Sequence, residues 1–261
     1  MWLPPIVNFA HIPPAIIPQT NFRGIPFWTI VISMVAFWLF AYIFAIQRAS
    51  VDKRAGIPAL AVAGDVAWEG THSLVIAGYV PQRTLDFVWF AFDLVLLYQV
   101  FRYGNKDFPS LTGKTFRAMI WGVIAWCAVA MILLTRELND TIGAYDGYFL
   151  VIFVSWSFIY TLRRRRSSAG QSMYIAVSKW VGTSMAGLNT FFVYPHHTFL
   201  IYSFITAFAL DVTYMVMLYR QIRAEGASPW VFRRPPVTAP ADVPAAPRPD
   251  AGADLRVSHT R

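Results

Sequence analysis

The stretch ALAVAGDVAWEGTHSLVIAGYV, residues 59–80, decides how this chain is read. It is apolar over the length a helix needs to cross a bilayer core, about 20 residues. Yet Glu69 stands near its middle, with Asp65 and His72 close by. An ionisable side chain at that depth costs roughly 2.5–3.5 kcal/mol on insertion scales. Such a residue is kept where it faces the interior of a bundle and does work there. A second one, Asp211, lies inside the apolar run 199–219. Function is expected to hang on this pair.

The rest of the chain agrees with a membrane reading. Of its 261 residues 56% are hydrophobic and 14% charged, against about 25% charged in ordinary soluble domains. Mean hydropathy is +0.46. The apolar blocks are continuous and do not alternate with polar residues, which excludes a membrane β-barrel. The expected fold is an all-α membrane protein, a bundle of seven transmembrane helices at about 25–47, 58–80, 84–103, 116–135, 143–162, 173–194 and 198–222. Residues 1–24, broken by Pro4, Pro5, Pro13, Pro14 and Pro18 and lacking a basic start, read as an irregular interfacial segment, not as a standard signal peptide. Residues 25–226 form the membrane domain, and 227–261, rich in Pro, Ala, Arg and Asp, read as a disordered cytoplasmic tail.

The net charge of +8 does not signal a nucleic-acid partner, because the basic residues sit at the ends of the apolar runs. Arg48, Lys53 and Arg54 fall in the first loop, Arg102, Lys106 and Lys114 in the third, and Arg163–Arg166 in the fifth. Arg220, Arg223, Arg233 and Arg234 follow the last helix. The positive-inside rule then places the N-terminus outside and the C-terminus in the cytoplasm. In that orientation Glu69 and Asp211 each lie roughly 16 Å above the cytoplasmic boundary, about 11 residues from it at 1.5 Å per residue. Two acids at one level on different helices can share one cavity. Asp65, Glu69 and His72 stand at i, i+4 and i+7 on one helical stripe, flanked by Trp68, and Tyr214 lies one turn beyond Asp211.

Other features are weaker. Asp86 and Asp93, seven residues apart on one face of the third helix, either extend the polar cavity or pair with Lys179 of the sixth; a structural role is the preferred reading. The adjacent His196 and His197, without a carboxylate or cysteine cluster, read as interfacial caps, and no metal is expected. Cys127, alone in an apolar run, reads as a small core residue. Asp-Asp-x-x-Asp and Asp-x-Asp-Asp motifs are both missing, which leaves the intramembrane carboxyls as the acids of any proton chemistry. A small proton-coupled transporter is the alternative, since buried carboxylates can relay protons and Pro81-Gln82 mimics part of a transporter motif. No internal repeat supports it. The last helix has no lysine for a retinal Schiff base.

Asp65-Val66-Ala67-Trp68-Glu69 in the second helix and Asp211-Val212-Thr213-Tyr214 in the last resemble the small integral-membrane terpene cyclases of fungal meroterpenoid and indole-diterpene pathways. The chain is similar, too, to their actinobacterial relatives that act on prenylated indole alkaloids. The resemblance implies a metal-independent, cofactor-free, class II type cyclisation in which an acid protonates a terminal alkene or epoxide and a carbocation cascade closes rings. It implies Glu69 and Asp211 as the catalytic pair. The substrate is then a hydrophobic prenylated small molecule, farnesylated on an aromatic or indole head, taken from membrane lipid, and the setting is a bacterial cytoplasmic membrane. Burial favours the neutral carboxyl that must donate the proton. Aromatic faces stabilise cations by about 2 kcal/mol or more when desolvated. The chain has 10 Trp, 12 Tyr and 21 Phe to line such a site. Asp65, Trp68, His72, Tyr214, Trp89 and Phe192 are the expected substrate-binding neighbours.

Overall fold

The computed structural model describes residues 20–76 and 80–237. Most of the interfacial segment and residues 238–261 of the tail lie outside the described residues. Among those described there are seven α-helices: α1 (Ile25–Asp52), α2 (Ala59–Gly70), α3 (Val80–Tyr103), α4 (Gly113–Leu138), α5 (Ala144–Arg165), α6 (Met173–Val193) and α7 (Thr198–Ala224). Their starts follow familiar local chemistry. Pro26 sits in the first turn of α1, where its missing N–H costs nothing. The Thr112 hydroxyl accepts from the Thr115 amide to begin α4, and the Ser172 hydroxyl accepts from the Ile175 amide to begin α6.

Five helices, α1, α3, α4, α5 and α7, are long and apolar enough to cross a membrane by length and composition. The other two depart from the seven expected spans for visible reasons. Helix α2 has 12 residues and passes into a π-helical turn over Thr71–Val75, closed by the Ile76 amide donating to the Thr71 carbonyl at 3.0 Å. Ile76 itself is extended, so the helix does not run to residue 80. Helix α6 carries Ser178, Lys179, Thr183, Ser184, Asn189 and Thr190, which dilute its apolar character.

Packing closes six helices into a ring in the order α1, α6, α7, α5, α2, α3, and α4 lies against the outer side of α2. Small residues let α2 sit close to three neighbours: Ala61, Val62 and Ala63 are wholly buried. At Gly64 a methyl group would run into Leu150 of α5. Along the ring lie Tyr42, Leu96, Val154, Phe158, Leu218 and Ile222, all part of one continuous core.

One end of the ring is locked by arginines. Asp107 receives Arg54 at 2.9 Å and a two-pronged Arg165 at 2.9 and 2.6 Å. Asp52 receives Arg48 through two bonds and the Gly170 amide at 2.6 Å. Gly170 has φ of +79°, and a side chain there would strike the Ala55 carbonyl. The first residues of the segment read as a tail are docked on this end. The Arg234 carbonyl accepts from Arg48 at 2.6 Å, the Val237 amide donates to Asp52 at 2.9 Å, and the Arg234 guanidinium donates to the Ser168 and Gln171 carbonyls.

Candidate active site

Inside the ring is a cavity of about 840 Å³. It opens where α1 and α3 begin and α6 ends, at the exposed residues Thr20, Gly24 and Pro81, and it reaches down to Tyr42, Asp65 and Val154. Helix α2 supplies Asp65, Trp68 and Glu69 to its wall. Asp65 and Glu69 are four residues apart and so project from one face. Helix α3 adds Asp86 and Trp89, α1 adds Trp38 and Tyr42, α5 adds Tyr148, and α6 adds Thr183 and Asn189. The lining is largely aromatic and aliphatic, with a few carboxyls among it.

The polar atoms on this wall are under-satisfied by the protein. Glu69 is buried and its Oε2 has no hydrogen-bond partner. Both oxygens of Asp86 are likewise buried without partners, whereas Asp93 behind it has the Tyr42 hydroxyl beside it. Buried polar groups in proteins are nearly always hydrogen-bonded, so these wall carboxyls are open to a bound ligand or water. The charged groups acting on Glu69 are Asp93, Asp86 and Asp65, all acidic. Tyr42 stands among Asp93, Asp65 and Glu69.

The family model of Pyr4-like transmembrane terpene cyclases matches residues 15–225. The chain belongs to this family. It is 27% identical over 155 residues to the Pyr4-family terpene cyclase mfmH of Annulohypoxylon moriforme, covering 58% of this chain and 64% of that protein. It is 24% identical over 178 residues to the terpene cyclase ascF of Acremonium egyptiacum, covering 62% and 65%. With the terpene cyclase pyr4 of Aspergillus fumigatus it shares 22% over 218 residues, 78% of this chain and 90% of that one. The matched regions thus span less than two thirds of the first two relatives and most of the third. All three are fungal; the bacterial setting expected from the sequence rests on the resemblance alone. No solved structure matches.

In this Pyr4-like chain four of the eight expected site residues meet at the cavity: Asp65, Trp68, Glu69 and Trp89. The other four do not line it. Asp211 is buried, but its Oδ1 takes a 2.6 Å ion pair from Lys179 of α6, which also donates to Ser155 of α5 at 2.7 Å. Asp211 does not line the cavity with Glu69: Lys179 holds its Oδ1, its Oδ2 is buried without a hydrogen-bond partner, and among the described residues Lys179 forms no ion pair with Asp86 or Asp93. Lys179 reaches past the Trp38 ring, 5.9 Å from its centre, and acts on Asp65, so Asp211 touches the cavity wall through an intermediary. Tyr214 is buried against Phe158, with ring centres 5.0 Å apart. Phe192 is exposed and stacks on Phe22 at 4.7 Å; it backs the cavity mouth from outside.

His72 leaves the stripe that regular spacing predicts. The π-turn starting at Thr71 winds more slowly than an α-helix, so positions within and after it drift out of register with Asp65 and Glu69. His72 instead stacks under Trp68 with ring centres 4.5 Å apart, its Nδ1 3.0 Å from the Trp68 carbonyl. Its Nε2 is 3.7 Å from Asp146 of α5, and the Trp68 indole N–H donates to the same carboxylate at 2.9 Å. Asp146 thus fixes the orientation of Trp68 from below. Nothing in the sequence singles Asp146 out, since an acid in the first turn of a helix is already favoured by the helix dipole. Nearby, in the loop before α5, burial pushes the Asp140 carboxyl above its usual range, against the opposing pull of the Tyr145 amide that donates to it at 2.8 Å.

Proposed function

We propose that this chain is a membrane terpene cyclase in which Glu69 is the general acid. The substrate is a prenylated, farnesyl-length molecule on an aromatic or indole head, folded in the 840 Å³ cavity. Glu69 protonates its terminal alkene or epoxide. The resulting cation is carried through ring closures between Trp38, Trp68 and Trp89, whose faces attract positive charge without offering a nucleophile. Asp211 holds Lys179 in place and acts on the cavity through it. The seven helices all span the bilayer in this reading, α2 and α6 shielded within the ring or by α4, with the arginine-rich end in the cytoplasm.

One observation carries the reading: a buried carboxyl with acidic neighbours lines a large aromatic cavity inside a chain of this family. Volume and lining suit a mostly apolar ligand, since small-molecule sites run to about 300–1,000 Å³. The test incubates membranes containing the full chain with 3-farnesylindole and its terminal epoxide, followed by extraction and mass analysis. Ring-closed isomers of the probe are expected from the wild type. Glu69→Gln, folded and inserted, should form none. Asp211→Asn should form less, through the freed Lys179. Cyclised product persisting at wild-type rate in Glu69→Gln would remove Glu69 from its role.

A further inference from the structure

Glu69 accounts for the first proton transfer but not for the last. A cation cascade that ends in an alkene must also lose a proton, and a base has to be placed where the final cation forms. The cavity wall holds a second carboxyl in the right condition. Asp86 on α3 is 1% exposed, and both its oxygens are buried without a protein partner. It lines the same cavity as Glu69, on a different helix, and α2 and α3 pack directly together.

The two buried carboxyls differ in one neighbour. The charged groups acting on Glu69 are acidic. Asp86, buried like Glu69 and interacting with it, has in addition a basic group acting on it, Arg83, one turn earlier on α3. Arg83 also clasps the π-turn, donating to the Ser73 carbonyl at 3.0 and 3.3 Å, while the Ser73 hydroxyl bonds the Glu69 carbonyl. One guanidinium thus ties the segment carrying Glu69 to the helix carrying Asp86. Two carboxyls set in contrasting environments are the usual mark of an acid and a base sharing a site.

We propose that Asp86 is the base that ends the cascade. This rests on the cyclase reading above. The proton leaves the Glu69 carboxyl for the terminal alkene or epoxide. Each following double bond gives its electron pair to a new carbon–carbon bond. At the last cation a neighbouring C–H bond breaks, its electrons become the product's double bond, and its proton passes to the Asp86 carboxylate. The product is an isomer of the substrate. Protonated Asp86 and ionised Glu69 then exchange the proton across the common cavity, which resets the site.

The test uses membranes carrying the full-length chain, the same two probes, and the variants Asp86→Asn, Asp86→Glu and Glu69→Gln. Glu69→Gln should leave the probe unconsumed. Asp86→Asn should still consume it, but the wild-type alkene should fall by about a hundredfold, the scale of a lost general base. In its place should appear double-bond isomers and alcohols with the mass of substrate plus water. Asp86→Glu moves the acceptor by one methylene and should shift the ratio of double-bond isomers; if the asparagine variant does not insert, this ratio decides. A wild-type product pattern in both Asp86 variants would overturn the base. So would unconsumed probe in a folded Asp86→Asn protein, which would place Asp86 with the acid. A folded wild type that leaves both probes untouched would overturn the cyclase reading and the base with it.

Discussion

Breaking the Asp211–Lys179 pair from one side strands a charge in the middle of the bundle. Removing one partner of a buried ion pair costs about 3–5 kcal/mol, whereas replacing both by apolar or neutral groups is often harmless. Asp211→Asn should therefore lower the melting temperature of the detergent-purified protein markedly, and Asp211→Asn combined with Lys179→Met should recover most of the loss. If the double variant melts no higher than the single one, Lys179 is not held by Asp211 in the way its 2.6 Å contact indicates. Sequence alone shows a lysine and several acids in apolar runs, but the choice among Asp86, Asp93 and Asp211 is made by which helices adjoin α6, and no local pattern encodes that. Asp140 offers a test in pH. The folded protein holds its proton to a higher pH than the unfolded chain, whose aspartate titrates near 3.8. Between those two values the folded state binds more protons, so stability falls as pH rises. Asp140→Asn should flatten that fall in a melting-temperature series run upward from pH 4.

Among the helices, α2 is the one whose shape matters most for the site. Its π-turn places His72 beneath Trp68, and the chain closes over this pair at Gly143, which has φ of +71° and lies against the His72 ring. Gly143→Ala would add a methyl into that ring and force a left-handed conformation that costs about 1–2 kcal/mol. It should lower stability and, by tilting Trp68, reduce cyclisation more than Asp146→Asn, which keeps a polar partner for the indole; equal or better turnover in Gly143→Ala would show that the stack does not position Trp68. The long helices are legible in the sequence because lipid demands an unbroken apolar run: the expected 198–222 and the observed Thr198–Ala224 differ by two residues. The end of α2 is not legible, since Leu74 to Val80 stays apolar through the point where the helix stops. A π-turn leaves no mark in composition. Asp65, Trp68 and Glu69 are legible because they precede it, and His72 is not because it lies within it.

At the scale of the molecule, the arginine-locked end joins parts of the chain that are far apart in sequence. Arg48, Asp52, Ser168, Gln171 and Arg234 make one network, and Tyr174 donates to the Trp230 carbonyl at 2.7 Å beside it. Ending the chain after residue 227 would strip Arg48 and Asp52 of several partners while leaving the cavity lining untouched. A fall of several degrees in melting temperature is expected, with the pattern of ring-closed products unchanged; a changed pattern would mean that this end communicates with the cavity. The opposite end has a different consequence. The lining runs from Phe22 and Gln82 to Tyr42 and Asp65, beside the packed core. Among the described residues the mouth of this cavity lies beside Thr20, Gly24 and Pro81, and that mouth is its doorway. Under the proposed cyclase activity a limp chain threads inward by that mouth, and the stiff polycycle leaves by it before another can follow. Turnover should therefore queue behind departure, and progress curves should bend early as finished polycycle competes for the doorway.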